Sequence, residues 1–448
     1  MTRIGRFLGS LALAGALASP AAAQQPLTAD QAVKMALEHN SQVISANAGL
    51  YDARGGLYRA YSGVLPSASA SLTRGGSWTR NKPGTLSFGE ASFFTPDKQE
   101  SYSTSPTLQG SWDVLNLAAL ASLSSARSGL KSAEWSRQSA RASVALTTRQ
   151  QFYQVVQSVK LVGVATNALA LARDSEHRVR ALFEVGSVSR NDVLQAQVQT
   201  AQSQLDSIAA VQSLLTQRDL LAKIIGTEQS RMGEVDTVLT FTPRDYDEGA
   251  LLGEAKAGRP DLKAAAAGLK SAKAAVMATR MQRLPFLSVG GSYTYKPVSS
   301  SKNTFVSRDT IISSRSEADY EKRASVQVSL NIFDGLAMEA NSASARANLL
   351  KAQDAYDVLL RNLEGEVHEA TLTYQQSVAS EQVAEAAVAA ATESVKLTQQ
   401  KYNVGSATIL DLITAQVQLQ RAESQLVSAL AGIRVAEAQI ERVRGSKE

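Results

Sequence analysis

The sequence predicts an α+β membrane protein: a homotrimeric 12-stranded transmembrane β-barrel, four strands per chain, continued by a long α-helical barrel and built from an internal duplication. Three observations predict it. An export signal precedes a chain with no other apolar run of spanning length. Four segments of roughly ten residues alternate apolar and polar. Two proline-free helical patterns of about 67 residues recur 219 positions apart.

Arg3 and Arg6 precede an apolar run from Phe7 to Leu17, followed by Ser19-Pro20-Ala21-Ala22-Ala23-Gln24. Residues 1–23 therefore read as a signal peptide cut after Ala23; as an anchor the run is too short and too rich in Ala. There is no cysteine, so the expected mature chain is not lipidated on Cys and has neither disulfides nor thiolate chemistry. Without Arg3 and Arg6, 44 basic residues face 41 acidic ones, a net charge of +3 that argues against nucleic acid. Aromatic residues are 6% and prolines only 10, a composition of long helices.

FEVGSVSRNDVLQAQVQ, from Phe183, and YNVGSATILDLITAQVQ, from Tyr402, match without a gap at eight of seventeen positions. At the same spacing Ala48-Gly49-Leu50 recurs as Ala267-Gly268-Leu269, Leu65-Pro66 as Leu284-Pro285, and Gly226 as Gly445. The chain thus reads as a first repeat, 24–226, an equatorial linker, 227–248, a second repeat, 249–445, and a tail, 446–448.

Each repeat opens with a helical pattern. From Asp30 to Tyr61 it breaks near Asn40-Ser41, where the second copy has Gly258-Arg259-Pro260. Period 2 then replaces period 3.6. Strands are expected at ~67–81, with Ala68, Ala70, Leu72, Gly76 and Trp78 on one face, and after a loop containing Pro83-Gly84 at ~101–115, with Tyr102, Pro106, Leu108, Trp112 and Val114. Their counterparts are ~286–297 and ~320–332; the opposite faces are largely Ser, Thr, Gln and Asn. Alternation suits either a half-buried soluble hairpin or a barrel wall between lipid and a wet lumen, and strands of ~9–11 residues or more favour the wall.

Long helices are expected at ~117–184 and ~335–403, each about 100 Å long at 1.5 Å per residue. In the second, Tyr356, Leu360, Leu363, Val367, Ala370 and Tyr374 step alternately by four and three, the seam of helices wound around partners. Val185-Gly186-Ser187 and Val404-Gly405-Ser406 fit helix ends with left-handed glycine. Ser189-x-x-Asp192 and Thr408-x-x-Asp411 then fit capping boxes opening return helices at ~190–225 and ~408–443. Four strands cannot close a barrel in lipid, and three chains supply twelve.

The early LTADQAVKMALEHN, the NVGSATILDLITAQVQLQRAESQL turn and its VGSVSRNDVLQAQVQTAQSQL partner resemble the TolC family of outer-membrane efflux proteins, over essentially Leu27 to Gly445. The resemblance implies a homotrimeric outer-membrane exit duct with its tunnel in the periplasm, serving an efflux pump or type I secretion system. Its implied partners are itself, a periplasmic adaptor protein, an inner-membrane ABC or proton-driven transporter, and outer-membrane lipid. Drugs, metabolites or polypeptides pass; the chain catalyses nothing and needs no cofactor. The resemblance places adaptor-binding tip turns on Val185, Gly186, Ser187, Val404, Gly405 and Ser406. It places the periplasmic aperture on Asp192, Asp411 and Tyr402. A second acidic family position falls on Thr414 and a basic one on Ala407, which departs from a doubly acidic constriction. Each aspartate is equally explained as a cap beside a positive helix terminus.

His39, His177 and His368 lack helically spaced partners, so no metal site is expected, and no nucleophile or phosphate-binding motif stands out. The rival reading is a periplasmic adaptor or a trimeric surface adhesion protein. An adaptor would carry one hairpin between β-rich domains, whereas this chain carries two hairpins and paired long strands.

Overall fold

The computed structural model describes residues 26–82, 85–88, 91–94, 96–228, 232–297, 299–305 and 310–445. The expected signal peptide 1–23, the Pro83-Gly84 loop and the tail 446–448 lie outside the described residues. The elements run α1 (Ala29–His39), α2 (Ser41–Ser62), β1 (Ser67–Arg80), β2 (Thr85–Phe88), β3 (Ala91–Phe94), β4 (Lys98–Leu115), α3 (Leu117–Glu184) and α4 (Arg190–Ile225). They continue with α5 (Glu248–Gly258), α6 (Pro260–Met281), β5 (Phe286–Lys296), β6 (Ser299–Phe305), β7 (Thr310–Ser316), β8 (Asp319–Ser329), α7 (Ala337–Asn403) and α8 (Ile409–Arg444). Two compact units result: Gln42–Arg141, Gly249–Val367 and the chain from Arg444; and the chain up to Ser41, Ala142–Glu248 and His368–Val443.

The first of these units holds the main sheet, antiparallel throughout, in the order β1-β4-β5-β8, with β6 and β7 continuing the line of β5 and β8. Register shows why the alternation matters. Ala70 lies opposite Leu108, Leu108 opposite Tyr293, and two rows further along the same face Trp112 opposite Val289 and Val289 opposite Val326. On the other face Ser71 lies opposite Thr107, which lies opposite Thr294. One face is thus apolar and the other hydroxyl-rich. Leu72, Trp78, Leu108, Val326 and Val328 are all exposed, so the apolar face has no cover from the chain's described residues. A half-buried hairpin would have one.

The strands differ from expectation at their ends. β4 begins at Lys98, and β6 and β7 extend the second hairpin beyond 297, because Ser- and Thr-rich segments with little apolar contrast hide their period. β8 stops at Ser329 rather than ~332: Gly335 and Leu336 have φ of 69° and 74°, and Asp334 Oδ2 accepts the Met338 N–H at 2.8 Å to start α7 at Ala337. Beside the sheet, α6 packs on α3 through small residues, with Ser132 Oγ donating to the Ala264 carbonyl at 2.8 Å. Trp112 Nε1 donates to the Val64 carbonyl at 2.9 Å, tying β4 to the end of α2.

The helical unit contains α1, α4, α8 and the distal parts of α3 and α7. Contrary to the expectation of no spanning-length apolar run, α3 is long and apolar enough by composition to cross a membrane. Within that stretch Val155, Val156, Ala165 and Ala172 pack inside the chain, but only 28% of it is buried there. In the predicted seam Leu363, Val367, Ala370 and Tyr374 are buried, whereas Tyr356 and Leu360 are half-buried. Leu27 bridges Val235, so the segment after α4 runs parallel to the chain start.

Candidate docking tip and aperture

At its tip α3 ends as glycine allows. Gly186 has φ 78°, its N–H donates to the Phe183 carbonyl at 2.9 Å, and the Ser187 N–H donates to the Leu182 carbonyl at 2.8 Å. This pair of bonds satisfies carbonyls that a helix end leaves open. α7 ends identically: Gly405 has φ 75°, with Gly405 N–H to Tyr402 at 3.0 Å and Ser406 N–H to Lys401 at 2.9 Å. Val185 and Val404, just before the glycines, are 73% and 78% exposed, two apolar side chains offered to water.

The return helices start with reciprocal caps. Asp192 Oδ2 accepts the Ser189 N–H at 2.9 Å, and Ser189 Oγ accepts the Asp192 N–H at 3.2 Å. Asp411 Oδ2 accepts both the N–H and the hydroxyl of Thr408, at 2.8 and 2.7 Å, while Thr408 Oγ1 accepts the Asp411 N–H at 3.2 Å. The Thr408 hydroxyl and then its N–H hold the Asp411 carboxyl below the usual aspartate value.

Both turns share one core: Val179, Ala196, Tyr402, Ile409 and Leu412 are buried together, flanked by Leu182, Val188, Val193, Ala407 and Ile413. Ala407 is therefore a packing residue. Tyr402 is 8% exposed and its hydroxyl has no hydrogen-bond partner among the described residues. Burial, and then the charge of Asp192, pushes its phenol upward. Asp411 and Thr414 are exposed on α8. Among the described residues no group of three or more His, Asp or Glu is arranged to hold a metal.

Sequence reasoning missed Gln416, which is buried and donates from Nε2 to Ser175 Oγ at 2.9 Å, joining α8 to α3. The signal was there, in the AQVQ shared by both turns. It also missed the junctions behind the recurring Gly226 and Gly445. A Cβ on Gly226 would lie 2.6 Å from His39 Cβ, and one on Gly445 would lie 2.7 Å from the Arg259 nitrogen. Each copy's last glycine sits against the break between that copy's two opening helices.

The outer membrane efflux protein model matches this chain twice, over residues 32–227 and 251–446. The chain belongs to the outer membrane efflux protein family. It is 23% identical over 286 residues to the outer membrane protein TolC of Vibrio cholerae serotype O1, and the match spans 63% of each chain. Its fold is similar to that of VceC from Vibrio cholerae, at TM-score 0.76 and 20% identity, covering 93% of this chain and 96% of that one. The CmeC outer membrane channel of Campylobacter jejuni gives 0.76 and 17%, covering 93% and 85%. The open state of the MtrE outer membrane channel of Neisseria gonorrhoeae gives 0.73 and 19%, covering 94% and 89%.

Proposed function

We propose that this chain is the outer-membrane exit duct of a tripartite efflux pump or type I secretion system. It passes drugs, metabolites or polypeptides from an inner-membrane ABC or proton-driven transporter across periplasm and outer membrane. Family membership supports a channel in the outer membrane that does no catalysis. One observation carries the reading: a four-line antiparallel sheet with a lipid-compatible face, a hydroxyl-rich face, and edge strands β1 and β8 that pair on one side only among the described residues. An open edge in lipid costs several kcal/mol per unsatisfied group, so closure must come from other copies. Three chains make twelve strands, and the two repeats give near-sixfold surroundings to an adaptor ring.

At the tips, Val185-Gly186-Ser187 and Val404-Gly405-Ser406 dock the adaptor, supported by the exposed valines. Asp192 and Asp411, three copies of each, line the aperture and draw cations, with Tyr402 in the apolar core of the tip. Cell fractionation with a native mass measurement tests the whole reading: an outer-membrane trimer is expected, and a soluble or monomeric mature chain, as an adaptor would be, overturns it.

A further inference from the structure

We propose that the outward face of the sheet, immediately beyond its apolar band, binds phosphate groups of the phosphorylated lipids of the outer leaflet. The inference rests on the outer-membrane reading. Register assigns the faces. Leu72, Gly76 and Trp78 project outward, so Arg74 and Arg80 on the same strand do too, and Lys98 is directly opposite Arg80. Glu100, opposite Trp78, is also opposite Lys302; Tyr102 is opposite Ser300, which is opposite Arg315.

The end of the sheet away from the helices thus presents Arg80, Lys98, Lys302 and Arg315 outward, all exposed, with the Glu100 carboxylate among them. Arg80 and Lys98 as direct cross-strand neighbours repel one another, a cost that a bound anion removes. None of these four forms an ion pair with a carboxylate among the described residues. The lumen face of the same strands differs. There Lys296 pairs with Glu321 at 3.5 Å, and Arg323 pairs with the same carboxylate. Inward charge is neutralised within the chain; outward charge is left for something outside it. That something meets the protein just above lipid-facing Trp78 and Tyr102, whose rings pack edge to face at 5.6 Å, an aromatic girdle at headgroup level. An anionic headgroup at that height fits the charge, the position and the apolar band beneath.

The test uses the full-length protein in detergent and native mass spectrometry, with bisphosphorylated lipid A as probe. The wild type should bind it. Joint Arg80→Gln, Lys98→Gln and Lys302→Gln replacement should weaken binding by about tenfold or more, since each surface cation removed weakens the attraction to an anionic headgroup. Dephosphorylated lipid should bind the wild type as weakly. Lumen-face Arg323→Gln should leave affinity unchanged, and Glu100→Gln should raise it, a gain that misfolding cannot produce. The proposal is overturned if the triple variant keeps wild-type affinity, if dephosphorylated lipid binds equally, or if millimolar inorganic phosphate displaces the lipid, which would mark a free-anion site. Fractionation of the same wild-type chain separates the two levels: absence from the outer membrane fails the parent reading, whereas presence there with an unaffected triple variant fails this one alone.

Discussion

The carboxylate of Asp411 accepts two hydrogen bonds from one residue, Thr408, through its N–H at 2.8 Å and its hydroxyl at 2.7 Å. Because the folded chain lowers this carboxyl, the ionised form is the capping form. Its contribution is present above the ordinary aspartate range and is lost as pH falls through the lowered value. Hydrogen-exchange protection in the first turn of α8 should therefore persist at mildly acidic pH and fall only below it. In Thr408→Ala that protection should be reduced at every pH, with its acid loss shifted upward.

Glycines at positive φ should not be equally replaceable. Gly405→Ala meets nothing within 4 Å, so its cost is the left-handed conformation alone, about 1 kcal/mol. Gly226→Ala adds a Cβ 2.6 Å from His39 Cβ to the same conformational cost. Thermal denaturation of the two variants should rank Gly226→Ala well below Gly405→Ala, and equal midpoints would contradict the junction.

Arg259 is 5% exposed and bonds Asp261 and Glu366. Burial would lower its guanidinium, but those carboxylates outweigh it and raise it. Arg259→Gln should destabilise by about 2–3 kcal/mol, because two half-sheltered carboxylates lose their counter-charge. Its counterpart Asn40 bonds the Ile224 carbonyl at 3.0 Å, so Asn40→Ala should cost only about 1 kcal/mol. Chemical denaturation of both variants distinguishes a charged junction from a neutral one.

Asp192→Asn and Asp411→Asn retain an oxygen that can accept the cap bonds but carry no charge. If the carboxylates line an aperture, cation selectivity in single-channel recordings should fall while the protein's melting temperature changes little. Unchanged selectivity in folded trimers would leave the aspartates as caps only.

Much of this was legible because the tip motif states its own geometry: glycine after Val185 and Val404 demands the left-handed end, and Ser189 and Thr408 with an acid three residues on demand the cap. The alternation of Ala70, Leu72 and Leu108 against serines likewise showed a face. What stayed hidden depends on distant partners. Nothing near Gly226 in sequence says that His39 lies against it, and Arg259 becomes a buried cation only when Glu366 is brought to it. β6 and β7 escaped because serine and threonine on both faces carry no period.

The central claim is that copies close one barrel by pairing β1 of one chain with β8 of the next. The chain has no cysteine, so Ser71→Cys with Ser325→Cys introduces the only two. Within one chain β1 and β8 are separated by β4 and β5, roughly 14 Å at strand spacing and too far for a disulfide. Mild oxidation of membranes, with neighbouring Cys pairs scanning the register, should yield covalent dimers and trimers and a ladder that stops at three. Only monomers across the whole scan would contradict the account.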